Sequence, residues 1–150
     1  MRAVVQRVTE ARVCVGERIA GEIGPGLVVL VAIGRDDDSS DVQYVAGKVR
    51  GTRLFDGGRG QNFHGSVVDV DGAVLVVSQF TLYGDIRKGR RPSFDAAASP
   101  IEARALYLDL VRELRRTPLR VATGEFQSTM RVELVNDGPV TILIDSARQF

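Results

Sequence analysis

Met130-Arg131-Val132-Glu133-Leu134-Val135-Asn136-Asp137-Gly138-Pro139-Val140-Thr141-Ile142-Leu143-Ile144 places a Gly-Pro step between two runs that read as strands. Proline donates nothing to a sheet ladder and fixes its own φ, so the step must bend, protrude or end a strand. Either a tight turn joins strands 130–135 and 140–144, or the step stands out from the sheet. The segment alone leaves both open.

Upstream, residues 27–33 (Leu-Val-Val-Leu-Val-Ala-Ile) form a continuous apolar run, the mark of a strand buried on both faces. Residues 4–8 and 11–15 read as two strands flanking Thr9-Glu10, and a further strand covers 18–23 before Gly24-Pro25-Gly26. Residues 66–70 and 73–79 around Asp71-Gly72 read as a hairpin, and 119–122 as a short strand. Two helices are expected. One starts in the acidic 36–40 stretch, with Ser40 and Gln43 as a capping box and Val42, Val45, Ala46 and Val49 as its apolar stripe. The other starts at Ser99-Pro100-Ile101-Glu102 and buries Ala103, Leu106, Leu110, Val111 and Leu114. Strands and helices do not alternate as βαβ units. The expectation is one α+β domain over residues 1–150, a curved antiparallel or mixed, barrel-like sheet with two main helices packed on it.

Composition narrows the chemistry. At 150 residues, 44% hydrophobic and 26% charged, the chain has the make-up of an ordinary globular domain. A net charge of +1 argues against a broad basic coat for nucleic acid and leaves room for a local patch. Cys14 is the sole cysteine, which excludes an internal disulfide and fits a packed side chain in a strand. No run approaches the ~20 apolar residues of a membrane span, and residues 1–8 move straight into a strand pattern, so no membrane partner and a cytoplasmic location are expected. One histidine, His64, and one cysteine leave no zinc cage, and neither a P-loop nor a strand-linked Gly-x-Gly-x-x-Gly is present. No metal and no cofactor are expected. Residues 36–38 (Asp-Asp-Asp) read as helix N-terminal electrostatics, since no calcium-loop spacing follows.

What remains is sparse. Ser78, Thr81 and Thr141 are hydroxyls near strand ends with no base beside them in sequence, and a hydroxyl without a base is a poor nucleophile. Backbone N–H groups at a strand end offer another route, because they stabilise an oxyanion without any titrating side chain. An activated ester suits such a site. Arg87, Lys88, Arg90 and Arg91 put four cations within five residues, followed by Phe94. Such a loop is either solvated or grips a nucleic-acid backbone. Met130, next to the second motif, is either core or pocket wall.

Ser78-Gln79-Phe80-Thr81-Leu82 and Asn136-Asp137-Gly138-Pro139-Val140-Thr141 together resemble the two signature motifs of D-aminoacyl-tRNA deacylases. Met1-Arg2-Ala3-Val4-Val5-Gln6-Arg7-Val8 and Lys88-Gly89-Arg90-Arg91-Pro92-Ser93-Phe94 extend the likeness along nearly the whole chain. The resemblance implies a homodimer that hydrolyses the ester between tRNA and a D-amino acid, or glycine. It implies a cis Gly138-Pro139 peptide that enters the partner's pocket and leaves no room for an L side chain, supported by Arg7 across the dimer. By the same likeness Ser78, Gln79, Phe80 and Thr81 line the acyl and adenosine pocket, acting mainly through backbone. Met130 and Thr141 fall to the substrate and gate region, and Arg87, Lys88, Arg90 and Arg91 to tRNA. Residues 57–60 (Gly-Gly-Arg-Gly) depart from the more acidic loop of relatives. Two other classes stay open on the residues themselves: a non-catalytic module that binds nucleic-acid ends, and a dimeric scaffold whose Gly-Pro closes an interface.

Overall fold

The computed structural model describes residues 1–57 and 63–150. Most of the Gly-rich loop of 56–62 therefore lies outside the described residues. Six strands form one mixed sheet: β1 (Arg2–Val15), β2 (Arg18–Ile23), β3 (Gly26–Ala32), β4 (Ala73–Ser78), β5 (Arg120–Thr123) and β6 (Arg131–Asp145). Two helices, α1 (Ser39–Gly51) and α2 (Pro100–Leu114), complete the α+β architecture. The order is β2-β1-β3-β4-β5, with β6 on β1.

The sheet is organised around β1, which is one strand where the sequence reads as two. Its first half pairs antiparallel with β3, its second half with β2, and β6 follows it along both. Register shifts around Thr9 let the strand bend without ending. The sheet then curls until β2 meets β5. A Cβ built on Gly21 would lie 2.3 Å from the Thr123 carbonyl oxygen, so glycine alone allows this near-closure of a barrel.

The expected hairpin of 66–70 with 73–79 is corrected. Residues 66–70 form turns, tied by Asp69 Oδ2 accepting from the Ser66 N–H at 2.8 Å and its hydroxyl at 2.7 Å. β4 instead runs parallel to both β3 and β5, inside the sheet. Its apolar run is buried as that position demands.

One face of the sheet packs on the helices through Val5, Leu27, Val29, Val31, Val74 and Val76, against Val45, Val49, Leu110 and Leu114. The opposite face fills the barrel with Val8, Val13, Val28, Leu75 and Val77. The α1 stripe is buried as read, but the cap is Asp38 with Asp41 returning the bond, not Ser40 with Gln43. The helix starts two residues earlier than that reading requires, at Ser39, so the cap moves from Ser40 to Asp38 with it. Ser99 and Glu102 cap α2 as expected, with Pro100 in its first turn. Tyr107, which the stripe had left out, is also buried, its hydroxyl donating to the Val76 carbonyl at 2.9 Å. Cys14 is a buried free thiol.

Candidate functional site

The Gly-Pro step neither joins two strands nor ends one. β6 continues through it, with Asn136 opposite Val8 and Thr141 opposite Gln6, so residues 137–140 stand against the single residue Arg7. The surplus backbone is pushed out of the ladder, and Asp137, Gly138 and Pro139 are exposed. Asn136 closes the neck of this protrusion. Its Oδ1 accepts from the Val140 N–H at 2.9 Å, and its Nδ2 donates to Thr141 Oγ1 at 3.2 Å. Gln6 Nε2 donates to the same hydroxyl at 3.1 Å. Arg7 braces the protrusion from below within the one chain, donating from Nε to the Asp137 carbonyl at 3.2 Å and from Nη1 to the Leu54 carbonyl. The Gly138-Pro139 peptide is cis, and Gly138 has φ of 125°, in a region that favours glycine.

The second motif ends β4. The last ladder bond runs from the Gln79 N–H to the Val31 carbonyl at 2.7 Å, after which residues Phe80–Tyr83 coil into one 3-10 turn. Within that turn Leu82 donates to Gln79, so the N–H groups of Phe80 and Thr81 precede the first acceptor. Among the described residues neither has a partner. Thr81 Oγ1 accepts from Gln79 Nε2 at 2.5 Å, and among the described residues no carboxylate or imidazole bonds to it. Phe80 is 59% exposed, its ring edge-on to Phe94 with centroids 4.9 Å apart.

Met130 belongs to this end of the molecule. Its sulfur accepts from the Glu125 N–H at 3.4 Å and lies against Gly124, whose own N–H donates to the Val76 carbonyl at 3.0 Å. Sequence reading did not single out Gly124, although a glycine just after a strand was the available signal. A Cβ there would come within 2.7 Å of the Met130 sulfur.

The basic loop is closed by paired backbone bonds between Asp85 and Ser93, at 2.8 and 2.9 Å. Arg87 folds back on Asp85 with a two-pronged contact, Nε to Oδ1 at 2.9 Å and Nη2 to Oδ2 at 2.6 Å. Those bonds pull the Asp85 carboxyl down to about 2. Lys88, Arg90 and Arg91 are exposed and make no ion pair among the described residues, so three of the four cations face outward uncompensated. The Phe80–Phe94 contact fastens this loop to the 78–81 strand end. His64 is exposed in a loop bridged to Phe55. Among the described residues no three histidine, cysteine or acidic groups are placed to share a metal ion, and no helix is long and apolar enough to cross a membrane.

The two motifs do not meet in one chain. Arg7 pairs with Leu27 and Leu27 with Val74, whereas Ser78 pairs with Val31 and Val31 with Ala3. The protrusion therefore sits four residues further down the sheet and three strands across, about 13 Å by about 14 Å at ordinary strand spacings. Between them the sheet shows an incompletely covered patch. Val4 and Leu30 are half-buried, while Leu143, opposite Val4 on β6, is 58% exposed.

A family model described as D-Tyr-tRNA(Tyr) deacylase matches residues 4–145. A D-aminoacyl-tRNA deacylase of Koribacter versatilis (strain Ellin345) is 57% identical over the whole of both chains. One from Symbiobacterium thermophilum is 56% identical, covering 100% of this chain and 99% of the relative. Among solved structures, a c-Myc DNA unwinding element binding protein superposes with a TM-score of 0.92 at 37% identity, covering 97% of this chain and 98% of its own. A probable eukaryotic D-amino acid tRNA deacylase shares the fold at a TM-score of 0.83 and 20% identity, covering 95% of this chain and 97% of its own.

Proposed function

Since the chain belongs to the D-Tyr-tRNA(Tyr) deacylase family, we propose that it hydrolyses the ester linking a D-amino acid to tRNA. The observation that carries the mechanism is the strand end at residues 78–81. Among the described residues it offers two unengaged N–H groups, on Phe80 and Thr81, beside a threonine hydroxyl with no base in contact. Donors aimed at developing charge lower the barrier to ester hydrolysis without a side-chain nucleophile. An aminoacyl ester is already an activated acyl group, so the substrate's terminal 2′-hydroxyl and a water complete the chemistry. Phe80 and Met130 flank this strand end as pocket walls, and Lys88, Arg90 and Arg91 contact phosphate.

The chiral gate is Gly138-Pro139, with Arg7, Asn136 and Thr141 holding it. Because protrusion and pocket lie about 13 Å apart along the strands of one sheet, the gate serves the pocket of a second copy, and the active form is a homodimer. The patch of Val4, Leu30 and Leu143 supports that assembly. A gate of backbone atoms rejects by handedness and not by side-chain type. Glycine, having no side chain to clash, passes, so glycine mischarged on tRNA is a second substrate. The setting is translation quality control in the cytoplasm.

The direct test is release of amino acid from D-tyrosyl-tRNA and L-tyrosyl-tRNA by purified protein. Selective release of the D form is expected. Equal release of both, or release of neither, rejects the chiral-editing reading. A second reading, a non-catalytic binder of nucleic-acid ends, draws on the similarity to the DNA unwinding element binding protein. Binding that falls steeply with salt, without any ester cleavage, would favour it.

A further inference from the structure

We propose that Arg2 is a positioning residue for the proposed pocket segment, holding residues 79–83 from the first position of β1. The inference rests on the deacylase reading for the role of that segment, but its structural content is independent. The 3-10 turn Phe80–Tyr83 has no fully buried residue of its own, and apart from the Phe80–Phe94 contact it depends on its neighbours for its place. Arg2 supplies the grip. Its guanidinium lies 4.5 Å from the centre of the Tyr83 ring and donates from Nη1 to the Leu82 carbonyl at 3.3 Å. The hydroxyl end of the ring lies close against Gly34, where a Cβ would come within 2.6 Å of the Tyr83 hydroxyl. Burial and the nearby Asp37 push the Tyr83 phenol up, so it stays neutral between these groups.

Behind Arg2 stands Asp145, the last residue of β6, with Oδ2 3.8 Å from Nε and its side chain only 2% exposed. Both of those atoms are buried and without a hydrogen bond among the described residues. A buried ion pair with unmet hydrogen bonds adds little stability over an apolar pair of the same size. Its distinctive contribution is direction. A planar fork can stack on one group, donate sideways to a second and face a carboxylate with its third edge, and a lysine ammonium cannot do all three. Arg2 thereby links both long strands to the turn that carries Phe80 and Thr81.

The test compares wild type with Arg2→Lys and with the double variant Arg2→Met/Asp145→Asn, which removes both charges together and so leaves no buried ion unpaired. Amide exchange by NMR is read at Leu82 and Gly84, with Val76 and Val77 as internal reference, alongside kcat and KM on D-tyrosyl-tRNA. The double variant is expected to exchange at least ten-fold faster at Leu82 and Gly84, with Val76 and Val77 unchanged. Its kcat should fall at least ten-fold while KM moves less than three-fold, and Arg2→Lys should recover only part of both. Unchanged exchange in the turn overturns the inference, and so does an equal rise throughout the sheet, which would make Arg2 merely structural. If wild type cleaves no D-ester the deacylase reading fails, while the exchange comparison still decides whether Arg2 holds the turn.

Discussion

Arg7 and Asp137 are bound twice over: Arg7 Nε lies 3.2 Å from the Asp137 carbonyl oxygen and 3.2 Å from its Oδ2. One guanidinium thus fixes both the backbone and the side chain of the residue that opens the Gly-Pro protrusion, while its Nη1 ties it to the Leu54 carbonyl. Arg7→Ala should leave the sheet intact, since β1 keeps its ladder bonds, and should cut D-tyrosyl-tRNA hydrolysis at least ten-fold, about 1.4 kcal/mol of barrier. Arg7→Lys, lacking the fork, should recover only part. Steady-state kinetics with circular dichroism as the fold control decides it, and full activity in Arg7→Ala removes Arg7 from the gate.

Gly138→Ala probes the gate itself. A Cβ there would meet Val140 Cγ2 at 2.8 Å and Arg7 Nη2 at 3.0 Å, on a backbone whose φ of 125° already disfavours a side chain. The protrusion must shift, so discrimination between D- and L-tyrosyl-tRNA should fall at least ten-fold. Unaltered discrimination would place the chiral filter elsewhere.

Thr81→Ala separates backbone from side-chain catalysis. The only bond to Thr81 Oγ1 among the described residues comes from the Gln79 amide, which cannot act as a base. The variant should keep kcat within about three-fold, less than 1 kcal/mol of barrier. Abolished turnover in a protein that still folds and binds substrate would restore a threonine nucleophile.

The basic loop offers a pH test. Arg87 hydrogen bonds hold the Asp85 carboxyl down to about 2, against 3.8 for the free group. A depressed carboxyl favours the closed loop fully above pH 3.8, and that contribution is lost as pH falls through about 2. The ¹³C carboxyl resonance of Asp85 should titrate near 2 in wild type and higher in Arg87→Ala, part of the way back to the free value, because the residue 87 N–H still donates to Oδ1. The same midpoint in both proteins would show that the pair does not order the loop.

Closure of the sheet rests on Gly21. In Gly21→Ala the new methyl would sit 2.3 Å from the Thr123 carbonyl oxygen, backbone that cannot rotate away. A cost of about 2 kcal/mol is expected for such overpacking, a fall of roughly 4–8 °C in Tm. A calorimetric scan showing no change would mean that β2 and β5 are free to separate.

The sequence by itself determined the features that are written within a few residues of each other. The start of α2 is spelled by Ser99, Pro100 and Glu102, the buried stripe of α1 by Val42, Val45, Ala46 and Val49, and the double-sided burial of β3 by its unbroken apolar run. Caps and periodicity act over three or four residues, so they survive without knowledge of the rest of the chain. The two motifs were legible in the same way, as was the missing base beside Thr81. Tertiary structure alone decided which strands pair. It made β1 and β6 continuous where the local sequence reads as a break at Thr9-Glu10 and admits a turn at Gly-Pro, and it turned an expected hairpin into a parallel β3-β4-β5 array. Pairing is settled by burial against distant strands, which no short window contains. For the same reason only the folded sheet sets Arg2 under Tyr83, 81 positions away in sequence, and separates the Gly-Pro protrusion from the strand end it is proposed to serve.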